Sequence, residues 1–199
     1  MVRNSITMTS QFALRGFLWF AMLVAVAACS SMPPNPRDLL DEHTGATVTV
    51  VGAPITFALQ PDGKSSDGFL TLVAIQKDDT GKYTELLLLY RWSVFFGSVS
   101  SSPQDSAGEL RVEIDGHSID LQPLQRLPAG LPSPKDLFVP DTTEAALRAY
   151  VTDLETMRLI AASHELTVRL PQESPSGPFV LWHDGRPALA QFVKQLTGP

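Results

Sequence analysis

The stretch ELRVEIDGHSIDLQ, residues Glu109 to Gln122, decides the fold class. Asp115-Gly116 supplies the two positive φ angles of a type I′ turn, the connection whose twist matches paired antiparallel strands. A turn there pairs Ile114 with His117, Val112 with Ile119 and Leu110 with Leu121, so the aliphatic side chains share one face. On the other face Arg111 meets Asp120, an opposite-charge cross-strand pair. Turn chemistry, alternation and charge agree on a hairpin with one buried face.

The chain before the hairpin carries more strand signals. Thr47 to Val51 and Ile55 to Leu59 are β-branched runs broken by Gly52-Ala53-Pro54. Gln60 to Asp67 is rich in turn formers. Phe69 to Ile75 and much of Leu86 to Trp92 are apolar on both alternating faces, the pattern of strands covered on both sides. Lys77 to Lys82 lies between them as a polar hairpin connection.

After the hairpin, Pro123 to Pro140 contains five prolines and reads as a long crossing loop. Leu147, Tyr150, Val151, Leu154 and Met157 have helical spacing, which admits a single helix over 143–162. Thr152-Asp153-Leu154-Glu155 is instead a capping box that starts a helix near 153, after the strand formers Tyr150, Val151 and Thr152. The preferred division is a strand near 145–152 and a helix near 153–163. Glu165 to Leu170 and Phe179 to Trp182 read as strands. Asp184 to Pro187 turns the chain into a final helix, Ala188 to Leu196, with Pro187 in its first turn. The expected fold is α+β: a predominantly antiparallel β-sheet or sandwich with about two short C-terminal helices.

The N-terminal residues have a different character. Arg3 and Arg15 are the charges of the first 28 residues, and 16–28 is the uncharged run GFLWFAMLVAVAA, ending in Val26-Ala27-Ala28 before Cys29. A basic start, a short apolar run and small residues form a secretory signal. Its 13 apolar residues fall short of a membrane span, which needs about 20. Met8 is an alternative start that would shorten the basic region.

Val26-Ala27-Ala28-Cys29 resembles the lipobox of bacterial lipoproteins. The resemblance implies cleavage before Cys29, acylation of its thiol and of the new amino terminus, and no role for the first 28 residues in the mature domain. By the same resemblance, Ser30 and Ser31 in place of Asp favour the outer membrane over the inner one. One acyl chain binds a bilayer only marginally, whereas two or three hold durably. Cys29 is the sole cysteine, so no disulfide framework is expected. The runs DEHTGATVTVVGAPITFA (Asp41 to Ala58) and LLLLYRWS (Leu86 to Ser93) are similar to a group of proteobacterial lipoproteins of unassigned function. That similarity brings no catalytic motif.

Three regions follow: a signal peptide over 1–28, an acylated cysteine with a Pro-rich tether over 29–37, and one β-rich domain over 38–199. Cleavage leaves 171 of the 199 residues, enough for a single domain with its own core. The mature chain holds 13 basic and 21 acidic residues, a net charge of −8. This disfavours nucleic acid and anionic headgroups as general partners. The tether residues SSMPPNPR span on the order of 25 Å if polyproline-like.

No catalytic or cofactor constellation stands out, and neither metal nor cofactor is expected. His43, His117, His164 and His183 lack the spacing of a local metal site. His117 falls on the apolar hairpin face, as a hydrogen-bonded structural histidine. His183-Asp184 and Asp41-Glu42-His43 are the polar groups with the residue types for a base or metal ligand. Structural use and solvated entry sequence, respectively, are the competing readings. Ser98, Ser100, Ser101 and Ser102 lack the nucleophile-elbow pattern. Trp92, Phe95 and Phe96 form the densest aromatic group, core or contact patch. The expected function is a non-enzymatic binding or structural module, anchored to the membrane through acylated Cys29 and directed at another envelope component. The alternatives are an envelope hydrolase using Asp41, His43, His183 or Asp184, and a carrier of an apolar small molecule. Oligomeric state is not legible.

Overall fold

A computed structural model describes residues 34–42, 44–59, 68–93, 108–138, 146–170 and 177–198. Ten strands and two helices are described: β1 (Arg37–Leu40), β2 (Thr47–Val50), β3 (Ile55–Leu59), β4 (Gly68–Asp79), β5 (Lys82–Ser93), β6 (Leu110–Ile114), β7 (His117–Leu121), β8 (Ala146–Val151), α1 (Leu154–Ala162), β9 (Leu166–Arg169), β10 (Phe179–His183) and α2 (Arg186–Thr197). All pairings are antiparallel, so the expected α+β class is the observed one.

The sheet runs β8-β5-β4-β3-β10-β9-β6-β7. Just past β7, Pro123 bridges Tyr150 of β8, and the Leu124 amide donates to the Ala149 carbonyl at 2.8 Å. The last strand therefore meets the first, and eight strands form a ring with one narrow seam. The β1–β2 pair lies outside the ring. It attaches through β2 to residues 75–78 of β4, on the edge where residues 69–72 pair with β3. The corner Val51 to Pro54 lets the two short strands share that one long edge.

Register sorts the side chains. Leu70, Leu72, Leu87, Phe57, Phe179, Val168, Val112, Leu110 and Tyr150 fall on one side of the sheet, and all are buried in a single contiguous core. This is the interior of the ring. The outward faces differ by region. Over β6, β7 and β9 the outward residues are Arg111, Asp120, Glu113 and Arg169. Over β4 and β5 they are Val73, Ile75, Leu86, Leu88 and Tyr90, all buried. Tyr90 donates its hydroxyl to the Phe138 carbonyl, which lays the Pro-rich segment against this outer face. Leu137 joins the core, and Arg37 of β1 stacks on the Phe138 ring at 5.0 Å while donating to the Asp136 carbonyl.

Both helices belong to one mouth of the ring. The end of β8, the start of β9 and the end of β10 meet there, so α1 and α2 leave and return at the same end. Met157, Ile160, Leu189, Phe192 and Val193 are buried into the common core. α1 begins where the strand-plus-helix division placed it. Its cap is Asp153, which accepts from the Thr156 amide at 2.6 Å, so the helix starts one residue after a box headed by Thr152. Thr152 Oγ1 is buried without a hydrogen-bond partner.

The Glu109–Gln122 hairpin has every expected pair, with φ of 48° at Asp115 and 82° at Gly116. Two expectations are corrected nearby. Lys77–Asp79 is strand rather than connection, because Thr80 (φ 55°) and Gly81 (φ 90°) make the whole turn. His117 is exposed rather than buried, since it pairs at the rim where the strand leaves the core. Packing also begins ahead of residue 38. Arg37 is in β1, Asn35 accepts from Gln191 of α2, and the Pro34 carbonyl lies so near Gly52 that a Cβ there would come within 1.9 Å of it.

Candidate functional site

Three polar or aromatic features outside the core merit a chemical reading. The first is an open cleft of about 300 Å³ between the end of β1 and the crossing segment, lined by Leu39, Asp41, Glu42, Leu131, Ser133 and Asp136 among others. The chain turns sharply here, with the Gly45 amide donating to the Asp41 carbonyl at 2.7 Å. The Asp41 carboxylate accepts from the Thr44 hydroxyl, and Asp136 accepts from the Ser133 hydroxyl at 2.8 Å. Asp41 and Glu42 thus line a concave surface rather than plain entry sequence. His43 lies outside the described residues. Among the described residues no group of three or more His, Cys, Asp or Glu side chains is placed to hold a metal ion.

The second feature is the knot around Asp184. Arg186 donates to its carboxylate from Nε at 2.8 Å and from Nη2 at 2.7 Å, in a bidentate pair. The same guanidinium reaches the Ser163 carbonyl at 2.6 Å and the His164 carbonyl at 3.3 Å, tying the start of α2 to the end of α1. Asp115, from the hairpin turn, accepts from the amides of His164 at 2.9 Å and Glu165 at 2.7 Å. Hydrogen bonds from Arg186 hold the Asp184 carboxyl below the ordinary carboxylate range, and those backbone amides do the same for Asp115. A carboxylate stabilised in its charged form by a guanidinium is a weak base. His183 is exposed beside this pair. The knot fastens a turn to two helices, with the Asp184 carboxylate committed to Arg186.

The third feature is aromatic. Phe69 and Trp92 face each other across β4 and β5, stacked with ring centroids 4.5 Å apart and planes at 17°. Trp182 packs edge-on to Phe69 at 5.7 Å and 70°. Trp92 Nε1 donates to Thr71 at 3.0 Å, which satisfies the polar end of a half-buried ring. Trp182 remains 69% exposed. Sequence reasoning singled out Trp92 but grouped it with Phe95 and Phe96, which lie outside the described residues. It passed over Phe69 and Trp182, which are distant in sequence and meet only through β3, which pairs with both β4 and β10.

Ser98, Ser100, Ser101, Ser102 and Cys29 also lie outside the described residues. Among the described residues no helix is long and apolar enough to cross a membrane. The fold and these features define a small antiparallel ring closed at one mouth by two helices. No family model, no curated protein and no solved structure matches the chain.

Proposed function

We propose that this chain is a lipid-anchored protein of the bacterial cell envelope, a non-enzymatic binding or structural module held at the membrane surface through acylated Cys29. The observation that carries the reading is the placement of the chain's sole thiol. It directly follows an apolar run with small residues, and Pro34, five residues later, lies against Gly52. Five extended residues span at most about 18 Å, so acyl chains on Cys29 would hold the domain against the bilayer. Ser30 and Ser31 favour the outer membrane. Anchoring confines the module to a thin layer and raises its effective concentration toward other envelope components.

Binding is favoured over hydrolysis by the way the candidate residues are used. Asp184 is engaged by Arg186, and Asp41 by Thr44. The test is fractionation of cells producing wild type or Cys29→Ser, followed by cross-linking and pull-down. Wild type is expected in the outer-membrane fraction with a co-purifying envelope component, and Cys29→Ser in the soluble fraction with that component lost. Persistence of Cys29→Ser in the membrane would contradict the anchor. Cleavage of an envelope polymer that Asp41→Asn or Asp184→Asn abolishes would contradict the non-enzymatic reading.

A further inference from the structure

Trp182 occupies an irregular place in its strand. Leu181 pairs with Phe57 and His183 with Thr56, so Trp182 is the extra residue of a β-bulge, with no partner on β3. Bulges re-aim side chains, and this one directs a large indole to the outside of the ring. Phe69 and Trp92 support it from below, so the ring is held in a fixed position although most of its surface meets solvent.

Most of the side chains beneath it are buried and uncharged, and the exposed Asp184, two residues on, is paired with Arg186. Across β10, β3, β4 and β5, one outward row is Val180, Ala58, Phe69 and Trp92, and the next is His183, Thr56, Thr71 and Tyr90. One strand further on, Glu113 pairs with Arg169 at 3.0 Å and accepts from Thr167 at 2.9 Å. An exposed indole seated on Phe69, which stacks on the half-buried Trp92, suits a surface that takes indole rings at its boundary with water. Bilayers concentrate Trp at that level.

The route of the chain selects that surface. A Cβ on Gly185, three residues after Trp182, would come within 2.2 Å of the Pro54 carbonyl, and one on Gly52 within 1.9 Å of the Pro34 carbonyl. Two backbone contacts therefore join the strand carrying Trp182, through the Gly52–Pro54 corner, to Pro34. Cys29 is five residues before that point. We infer that Trp182 is a second membrane contact, inserting into the headgroup region of the bilayer that the Cys29 acyl chains enter and so fixing the orientation of the domain. The inference rests on the lipid-anchor reading.

The test uses full-length protein purified from membranes, whose acylation is first verified by intact mass. Cleavage removes Trp19, which leaves Trp92 and Trp182. Trp92→Phe and Trp182→Phe proteins are reconstituted into vesicles of phosphatidylethanolamine and phosphatidylglycerol containing phospholipid brominated near the headgroup. Emission from Trp182 in Trp92→Phe is expected to be quenched severalfold more than emission from Trp92 in Trp182→Phe, and to be shielded from aqueous iodide. If Trp92→Phe fails to fold, the loss of lipid quenching between wild type and Trp182→Phe reads the same quantity. Equal quenching of the two tryptophans in acylated protein would overturn the inference while leaving the anchor intact. So would a Trp182 response to soluble glycan fragments but not to lipid. Unacylated protein in the mass spectrum would instead overturn the anchor itself.

Discussion

The outward faces of β6–β7–β9 and of β4–β5 belong to one ring, yet they follow opposite rules. On the first, Arg111–Asp120 and Glu113–Arg169 face solvent, and strict alternation separates them from the core. On the second, Leu86, Leu88, Ile75 and Tyr90 are as buried as the interior, and the Pro-rich segment reaches this face at Tyr90, whose hydroxyl donates to the Phe138 carbonyl. Closing a ring leaves its outside free to be surface or second core. Which one it becomes depends on whether another part of the chain covers it.

The comparison is broken most severely in the covered face. Leu88→Ala removes a fully buried side chain and should cost about 2–5 kcal/mol, read as a lowered denaturant midpoint. A loss below about 1 kcal/mol would mean the outer face is not a packed layer.

Tyr90→Phe sharpens the same contrast. It leaves the Phe138 carbonyl without its donor, at an expected cost of about 1–3 kcal/mol. Burial pushes the Tyr90 phenol up to about 12, and the hydrogen bond with Thr71 lowers it only partly. A raised pKa means the folded state keeps a proton that the unfolded chain has lost. Stability should therefore fall as pH rises from about 10 toward 12. Tyr90→Phe should flatten that alkaline slope in equilibrium unfolding.

On the exposed side, Asp115 is held below the usual carboxylate range first by the Glu165 amide. Its contribution is present at neutral pH and disappears as pH falls through about 4 and below. Asp115→Ala should lower the melting temperature at pH 7 and weaken the acid dependence, whereas Asp115→Asn keeps the turn geometry. The smallest effect is expected for Arg111 and Asp120. Their bidentate pair lies in solvent, and a double-mutant cycle should give a coupling near the limit of detection that vanishes in high salt.

The same contrast explains what the sequence disclosed. In β6–β7 each residue's face follows from its neighbour, so pairings down to Arg111–Asp120 were legible. In β4–β5 two-sided apolarity announced a cover without naming it, because the cover has no periodicity. Leu137 and Phe138 lie in a proline-rich run with neither strand nor helix spacing. Ring closure rests on Pro123 meeting Tyr150, a non-local contact with no local pattern. The candidate polar residues were visible by type, but their use was not. Arg186 was read only as part of a turn, although two residues suffice for it to engage Asp184. Trp182 was hidden because a bulge interrupts the alternation that assigns faces.

The central claim, that fatty chains on Cys29 hold this domain at the membrane, is tested most directly by the intact mass of protein extracted from membranes. The account predicts a polypeptide beginning at Cys29 and heavier than its residues by diacylglycerol and an amide-linked acyl group. A mass equal to the bare polypeptide, or one that retains residues 1–28, would contradict it.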